Sequence, residues 1–229
     1  MTVYLASPTS QAQGAAVRDM PVLMSYAMYR GWVDGYQQSW GKILIDSGAY
    51  SELTGGKSID LEEYKDFAAR WSDRAEAIAA LDDISGDWRR GLRNLEHGPG
   101  FPTIHSSDPE DLLDDLIPVA RERGGWIGVG ILPPRTEKHT DWLERTLERI
   151  PPDLHVHGWA LRKWWNRLRR IDSVDSTNWW RDAMSLRSRS GLGFLTYSEC
   201  LEIIVKRYKR ERRTLPPLQD DAQQSLFEV

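Results

Sequence analysis

One cysteine, Cys200, stands in a chain of 229 residues, so no internal disulfide and no multi-cysteine zinc site can form. No uninterrupted apolar run is long enough to cross a bilayer, and no basic segment followed by an apolar stretch opens the chain. The expectation is a cytoplasmic protein with no membrane partner. Gly-x-Gly-x-x-Gly, a Walker loop and internal repeats are missing as well, which removes the usual nucleotide-fold signatures. Nor is there a basic surplus: the net charge is −4, with 28% charged and 40% hydrophobic residues. That composition is globular, and the length suits a single core.

What is present is an alternation of short β-like runs and amphipathic helical stretches. Strand signals lie at 22–28, 43–45, 77–81, 102–105, 126–131, 154–159 and 171–174. Helical patterns lie at 60–74, 87–96, 109–123, 137–149, 161–170 and 197–213. Asp60 with Glu63, and Thr196 with Glu199, have capping-box spacing, and Asp108 before Pro109 reads as a helix start. Strands alternating with helices predict a parallel sheet covered by helices. Asp46, Asp82, His105, Gly130, His157 and Asp175 recur at strand C-terminal ends, where barrel enzymes gather their chemistry. The expected fold is therefore α/β: a compact (β/α)8 TIM-like barrel, not necessarily complete, over 1–195. A basic C-terminal helix at 196–215 should pack on it, and Pro216-Pro217 should open a flexible tail at 216–229.

Two segments, 43–50 and 171–180, each end an apolar run with an aspartate among small residues. Two carboxylates facing one pocket are the minimum for cutting and remaking a glycosidic bond, one as nucleophile and one as proton carrier. Aspartate at a strand end is equally a helix cap or turn former. Basic residues crowd two stretches, Arg162, Lys163, Arg167, Arg169 and Arg170, then Lys206 to Arg213, with Trp164, Trp165, Trp179 and Trp180 near the first. Such a mix can hold phosphates and stack bases, or be a solvated helix face above ordinary core tryptophans. His155 and His157 alternate along one strand and so share a face.

These motifs together resemble the tRNA-guanine transglycosylase (queuine tRNA-ribosyltransferase) superfamily, and most nearly its DNA-modifying branch from phages and bacterial modification islands. Asp46-Ser47-Gly48-Ala49-Tyr50 is similar to that family's Asp-Ser-Gly-Gly-Phe, and Asp172-Ser173-Val174-Asp175 to its Asp-x-Phe-Asp. Leu81-Asp82-Asp83 resembles Leu-Asp-Glu, Ile104-His105 stands where Val-Gln is usual, Gly128-Val129-Gly130 where a Gly-Gly pair donates from its backbone, and His157-Gly158 where Met-Gly follows a strand. The resemblance implies base exchange in nucleic acid: Asp175 as covalent nucleophile and Asp46 as proton carrier. Asp82, His105, Gly128, Gly130, His157, Ser47 and Gly48 would bind the base. The family's structural zinc needs three cysteines and a histidine, which this chain cannot supply, so no cofactor is expected beyond a 7-deazaguanine co-substrate.

A guanine inside a duplex must be extruded to react, and Arg162, Lys163, Arg167, Arg169, Arg170 and Trp179 are the candidate nucleic-acid contacts. Gln223-Gln224-Ser225-Leu226-Phe227 fits the pentapeptide with which bacterial DNA enzymes dock on the sliding clamp, through Gln223, Leu226 and Phe227. That tail favours DNA over tRNA as the partner. A tRNA enzyme, a non-catalytic nucleic-acid-binding member, and a metal-dependent barrel hydrolase built on Asp46, His105, His157 and Asp175 remain alternatives.

Overall fold

A computed structural model describes residues 1–29, 35–55, 58–132, 137–161, 170–189 and 195–211. Eight strands run parallel: β1 (Thr2–Ala6), β2 (Val22–Ser25), β3 (Ile43–Asp46), β4 (Ala75–Ile78), β5 (Thr103–His105), β6 (Trp126–Gly130), β7 (His155–Trp159) and β8 (Ser173–Ser176). Their spatial order is β4-β3-β2-β1-β8-β7-β6-β5, with the first and last strands of the chain paired at Tyr4 and Asp175. The sheet curls until its ends meet at one isolated parallel bridge, Ala79 to Phe101. There the Ala80 amide donates to Phe101 O (2.9 Å) and the Phe101 amide to Ile78 O (2.8 Å). Gly100 makes this closure possible. Its φ is +99°, and a Cβ would lie 2.5 Å from the Ala79 carbonyl carbon. The result is the expected TIM-like barrel, sealed by a narrow seam.

Period-two alternation divides the strand side chains into two layers. Outward residues such as Leu5, Met24, Ile45, Ile104, Val129, Val156 and Val174 pack under the helices. The inward set, Tyr4, Ala6, Leu23, Leu44, Ala79, Phe101 and Trp126, with Ala77 and Trp159 against it, fills the barrel. Phe101 stacks on Trp159 at 6.2 Å between ring centroids, and on Trp126 at 5.7 Å. Burying each such large apolar side chain stabilises the fold by roughly 1.5–3 kcal/mol.

The eighth strand, β1, was not among the strand signals; it sits between β2 and β8. The run at 22–28 is not all strand, because the chain turns after Ser25 into α2 (Tyr26–Tyr29). Between β1 and β2 lies α1 (Gln11–Ala16), and α3 (Ala49–Leu53) follows β3. The longer helices begin with α4 (Leu61–Trp71), capped by the Asp60 carboxylate on the Glu62 and Glu63 amides, and α5 (Trp88–His97). α6 (Leu112–Glu122) begins later than Pro109, because the Asp108 carboxylate accepts from the His105 amide at 2.7 Å instead of capping a helix. α7 (Glu137–Arg149) lies where expected.

An unanticipated helix, α8 (Asn178–Arg189), packs against α9 (Tyr197–Glu211), which also touches α1. Thr196 and Glu199 form the reciprocal cap of α9. Cys200, Leu201, Ile204, Val205 and Tyr208 form its buried face, with Lys206, Arg207, Lys209 and Arg210 on the exposed side. Among the described residues no helix is long and apolar enough to cross a membrane.

Candidate active site at the C-terminal mouth of the barrel

Inward-facing positions at the C-terminal strand ends carry Ser25, Asp46, His105, His157 and Asp175, and the turn after β4 adds Asp82. Asp46 ends β3 on the inward parity of Leu44. The turn behind it needs glycine: Gly48 has φ +86°, and a Cβ would meet the Ala27 Cβ at 2.4 Å. This tight turn brings the Ser47 hydroxyl to Asp82 Oδ1 at 3.2 Å.

Asp82 and Asp83 divide their work. Asp82 Oδ2 lies 2.7 Å from His105 Nε2, so Asp82 faces the mouth. Asp83 accepts from the Ser85 amide and hydroxyl and from Arg90 (2.8, 2.6 and 3.0 Å), while Asp87 caps α5. Burial works against a charged His105 ring, but the hydrogen bond and charge of Asp82, with Asp108 and Asp83 further off, outweigh it and hold its pKa above the ordinary value.

Asp46 is the most perturbed acid. Desolvation first, then the Asp82 charge, with a smaller push from Asp175, raises its pKa to about 7. The Ser25 hydroxyl and the Gly48 amide oppose the rise. Beneath, burial and the charges of Asp46 and Asp82 keep the Tyr64 phenol protonated.

Asp175, on β8, is held by an N–H from the turn after β7. Ala160, at φ +51°, donates to Oδ1 at 2.6 Å. The same oxygen lies 3.7 Å from His157 Nε2. No described residue donates a hydrogen bond to Oδ2. His157 is fully buried, edge-on to Tyr4 (5.9 Å) and Trp159 (4.3 Å).

Asp46, Ser47, Gly48, Asp82, His105, His157 and Asp175 are thus gathered at one mouth. Other expected contacts are not. Gly128 sits a layer lower, its amide spent on Pro102 O (2.9 Å), and a Cβ there would strike Thr103 and Trp159. Gly130 reaches the rim, but its carbonyl accepts from the Ser106 amide. Its bare Cα makes room for the His105 ring, whose Nδ1 would lie 2.7 Å from a Cβ.

Trp179 is wholly buried and donates from its indole to Ala6 O at 3.0 Å, so it is core and not a nucleic-acid contact. Arg170 is anchored at the opposite end of the barrel, to Asp172 and to the carbonyls of Pro151 and Leu154 (2.9, 2.6 and 2.7 Å). It therefore cannot serve the mouth. Arg162, Lys163, Arg167 and Arg169, and the tail residues Gln223, Leu226 and Phe227, lie outside the described residues.

Sequence reasoning missed Ser173 and Trp159, although each lies two residues from an inward-facing site residue and so shares its face. The Ala160 amide leaves no sequence signal, because alanine does not announce a positive φ. Among the described residues, no three side chains of His, Cys, Asp or Glu converge as metal ligands.

Fold and site define a parallel (β/α)8 barrel with an acidic C-terminal mouth. No family model matches the sequence, and no curated protein matches it. Among solved structures the chain is similar to the YdjI aldolase from Escherichia coli K12, at 9% identity, with 93% of this chain and 90% of that chain covered and a TM-score of 0.39. So remote a likeness says nothing about the chemistry of the mouth.

Proposed function

We infer that this protein is a DNA-guanine transglycosylase of the tRNA-guanine transglycosylase superfamily, exchanging guanine for a 7-deazaguanine base. The observation that carries this reading is Asp46. A carboxyl group with a pKa of about 7, facing a mouth that also holds Asp175, can both give and take a proton at neutral pH.

In the first half-reaction, Asp175 Oδ2 attacks C1′ of an extruded deoxyguanosine, and the C1′–N9 bond breaks as protonated Asp46 gives its proton to the departing guanine. A glycosyl ester on Asp175 results. In the second, the Asp46 carboxylate takes the N9 proton of the incoming deazapurine, whose N9 attacks C1′ and releases Asp175. Two inversions retain the sugar configuration. Asp82, with Ser47 and His105 fixing its oxygens, accepts from N1–H and the exocyclic amine of the base. An acidic mouth suits that donor edge. DNA is preferred to tRNA because of the clamp-type pentapeptide at 223–227.

The test incubates the full chain with radiolabelled guanine and, separately, single-stranded DNA, duplex DNA and tRNA. Label should enter DNA, and Asp175→Ala should abolish incorporation. Label in tRNA alone would move the assignment to a tRNA enzyme, and no incorporation into either would overturn it.

A further inference from the structure

Beneath the mouth, three inward-facing polar side chains occupy adjacent positions on β7 and β8. Ser173 Oγ lies 2.9 Å from His155 Nε2 and 2.9 Å from His157 Nδ1. One hydroxyl has one proton, so it can donate to only one ring, and when it does so it accepts from the other. Two arrangements follow. In one, Ser173 donates to His157 Nδ1 and accepts from His155, so His157 carries its hydrogen on Nε2, towards Asp175 Oδ1. In the other, every donor is reversed, and His157 turns a bare lone pair on the carboxylate.

We propose that Ser173, backed by His155, is a positioning residue that fixes the tautomer of His157 and so keeps an N–H turned towards Asp175. The first arrangement places an N–H towards an ionised Asp175; the second suits only a protonated one. His157 Nε2 has no hydrogen-bond partner of its own, although it is buried. The Ala160 amide binds Oδ1, and the His157 N–H lies on the same side at 3.7 Å, which leaves Oδ2 as the attacking atom.

His155 is only half-buried and is stacked on Trp126 at 3.7 Å.

The groups facing this chain are few. His155 meets Asp172, Glu76 and Lys42 besides His157, and His157 meets Tyr4, Trp159, Ser173 and Asp175. Burial, with a smaller push from His157, holds the His155 pKa below its ordinary value, which favours the neutral ring that the tautomer pairing needs. Lys42, at the same end, is engaged by Glu76.

The choice of Asp175 as nucleophile rests on the transglycosylase reading; the tautomer does not, and the two are measured separately. Imidazole nitrogen NMR on the full chain should show His157 as the Nε2–H tautomer above neutral pH, and a tautomer mixture in Ser173→Ala. In guanine exchange, Ser173→Ala should lower kcat about tenfold with KM for DNA unchanged. Ser173→Thr, which keeps the hydroxyl, should restore the tautomer and kcat. A Nδ1–H tautomer in the native protein, or one unchanged in Ser173→Ala, overturns the proposal whether or not exchange occurs. An unchanged kcat in an active Ser173→Ala enzyme overturns it equally. Exchange absent from the native protein, with the tautomer as expected, counts only against the function.

Discussion

His105 Nε2 and Asp82 Oδ2 stand 2.7 Å apart across the mouth, from β5 and the turn after β4. Hydrogen bonds to charged groups contribute about 1.5–3 kcal/mol, and the pair fixes the carboxylate meant for the base edge. His105→Ala should raise KM for the incoming base on the order of tenfold, and Asp82→Asn should cost as much or more. Guanine-exchange kinetics at saturating DNA measure both. The pair also titrates. Because the folded pKa of His105 is raised, its stabilisation is complete below the unfolded value of about 6.5 and is lost as pH rises through the folded value. Melting temperature across this range should fall less steeply in His105→Gln.

Asp46 has linkage of the same sign, although here the favoured form is the neutral one. Its pKa is raised from 3.8 to about 7, so the folded state holds a proton that the unfolded state releases, and stability falls as pH rises between those values. Asp46→Asn should therefore raise stability at pH 8 by about 1–2 kcal/mol while abolishing exchange. Denaturant unfolding at about pH 8 and about pH 5 measures the first effect, which should be smaller at the lower pH.

Trp179 joins α8 to β1 through its indole N–H on Ala6 O. Trp179→Phe removes the donor and leaves a gap, a loss of about 1–3 kcal/mol. DNA affinity should not change. A drop in affinity without a drop in stability would restore Trp179 to the nucleic-acid surface.

Gly100→Ala presses a methyl group on the backbone of Ala79 and Ala80 at the barrel seam, in a backbone conformation that alanine resists. The expected cost is on the order of 2–4 kcal/mol. Hydrogen exchange should show early loss of protection at Ala80 and Phe101, whose amides make the bridge bonds.

Much of this architecture is legible in the residues because two rules are local. Alternation within a strand sets the face, and a strand's direction sets which end carries the chemistry. Asp46, His105, His157 and Asp175 could therefore be placed together from sequence alone. β1 gave no signal because α1, the helix that frames Thr2–Ala6, is only 6 residues long and shows no amphipathic pattern. Arg170 and Trp179 misled for a different reason. A basic or aromatic side chain declares its type, but whether it meets solvent, the core or the far end of the barrel depends on contacts distant in sequence, such as Leu154 O and Ala6 O. Gly128 and Gly130 read as donors of the mouth, and they act by leaving space beside Trp159 and His105.

The pairing of Tyr4 with Asp175 also governs how the molecule is made. Of the eight strands β1 is synthesised first, yet its partner on one side, β8, is the last of the eight. Until then β1 has only β2, and the edge meant for β8 stays open. The strand that completes the barrel is the one that carries Asp175. A nascent or truncated chain therefore holds Asp46 and Asp82 without Asp175, and the acidic mouth is complete only once β8 has docked.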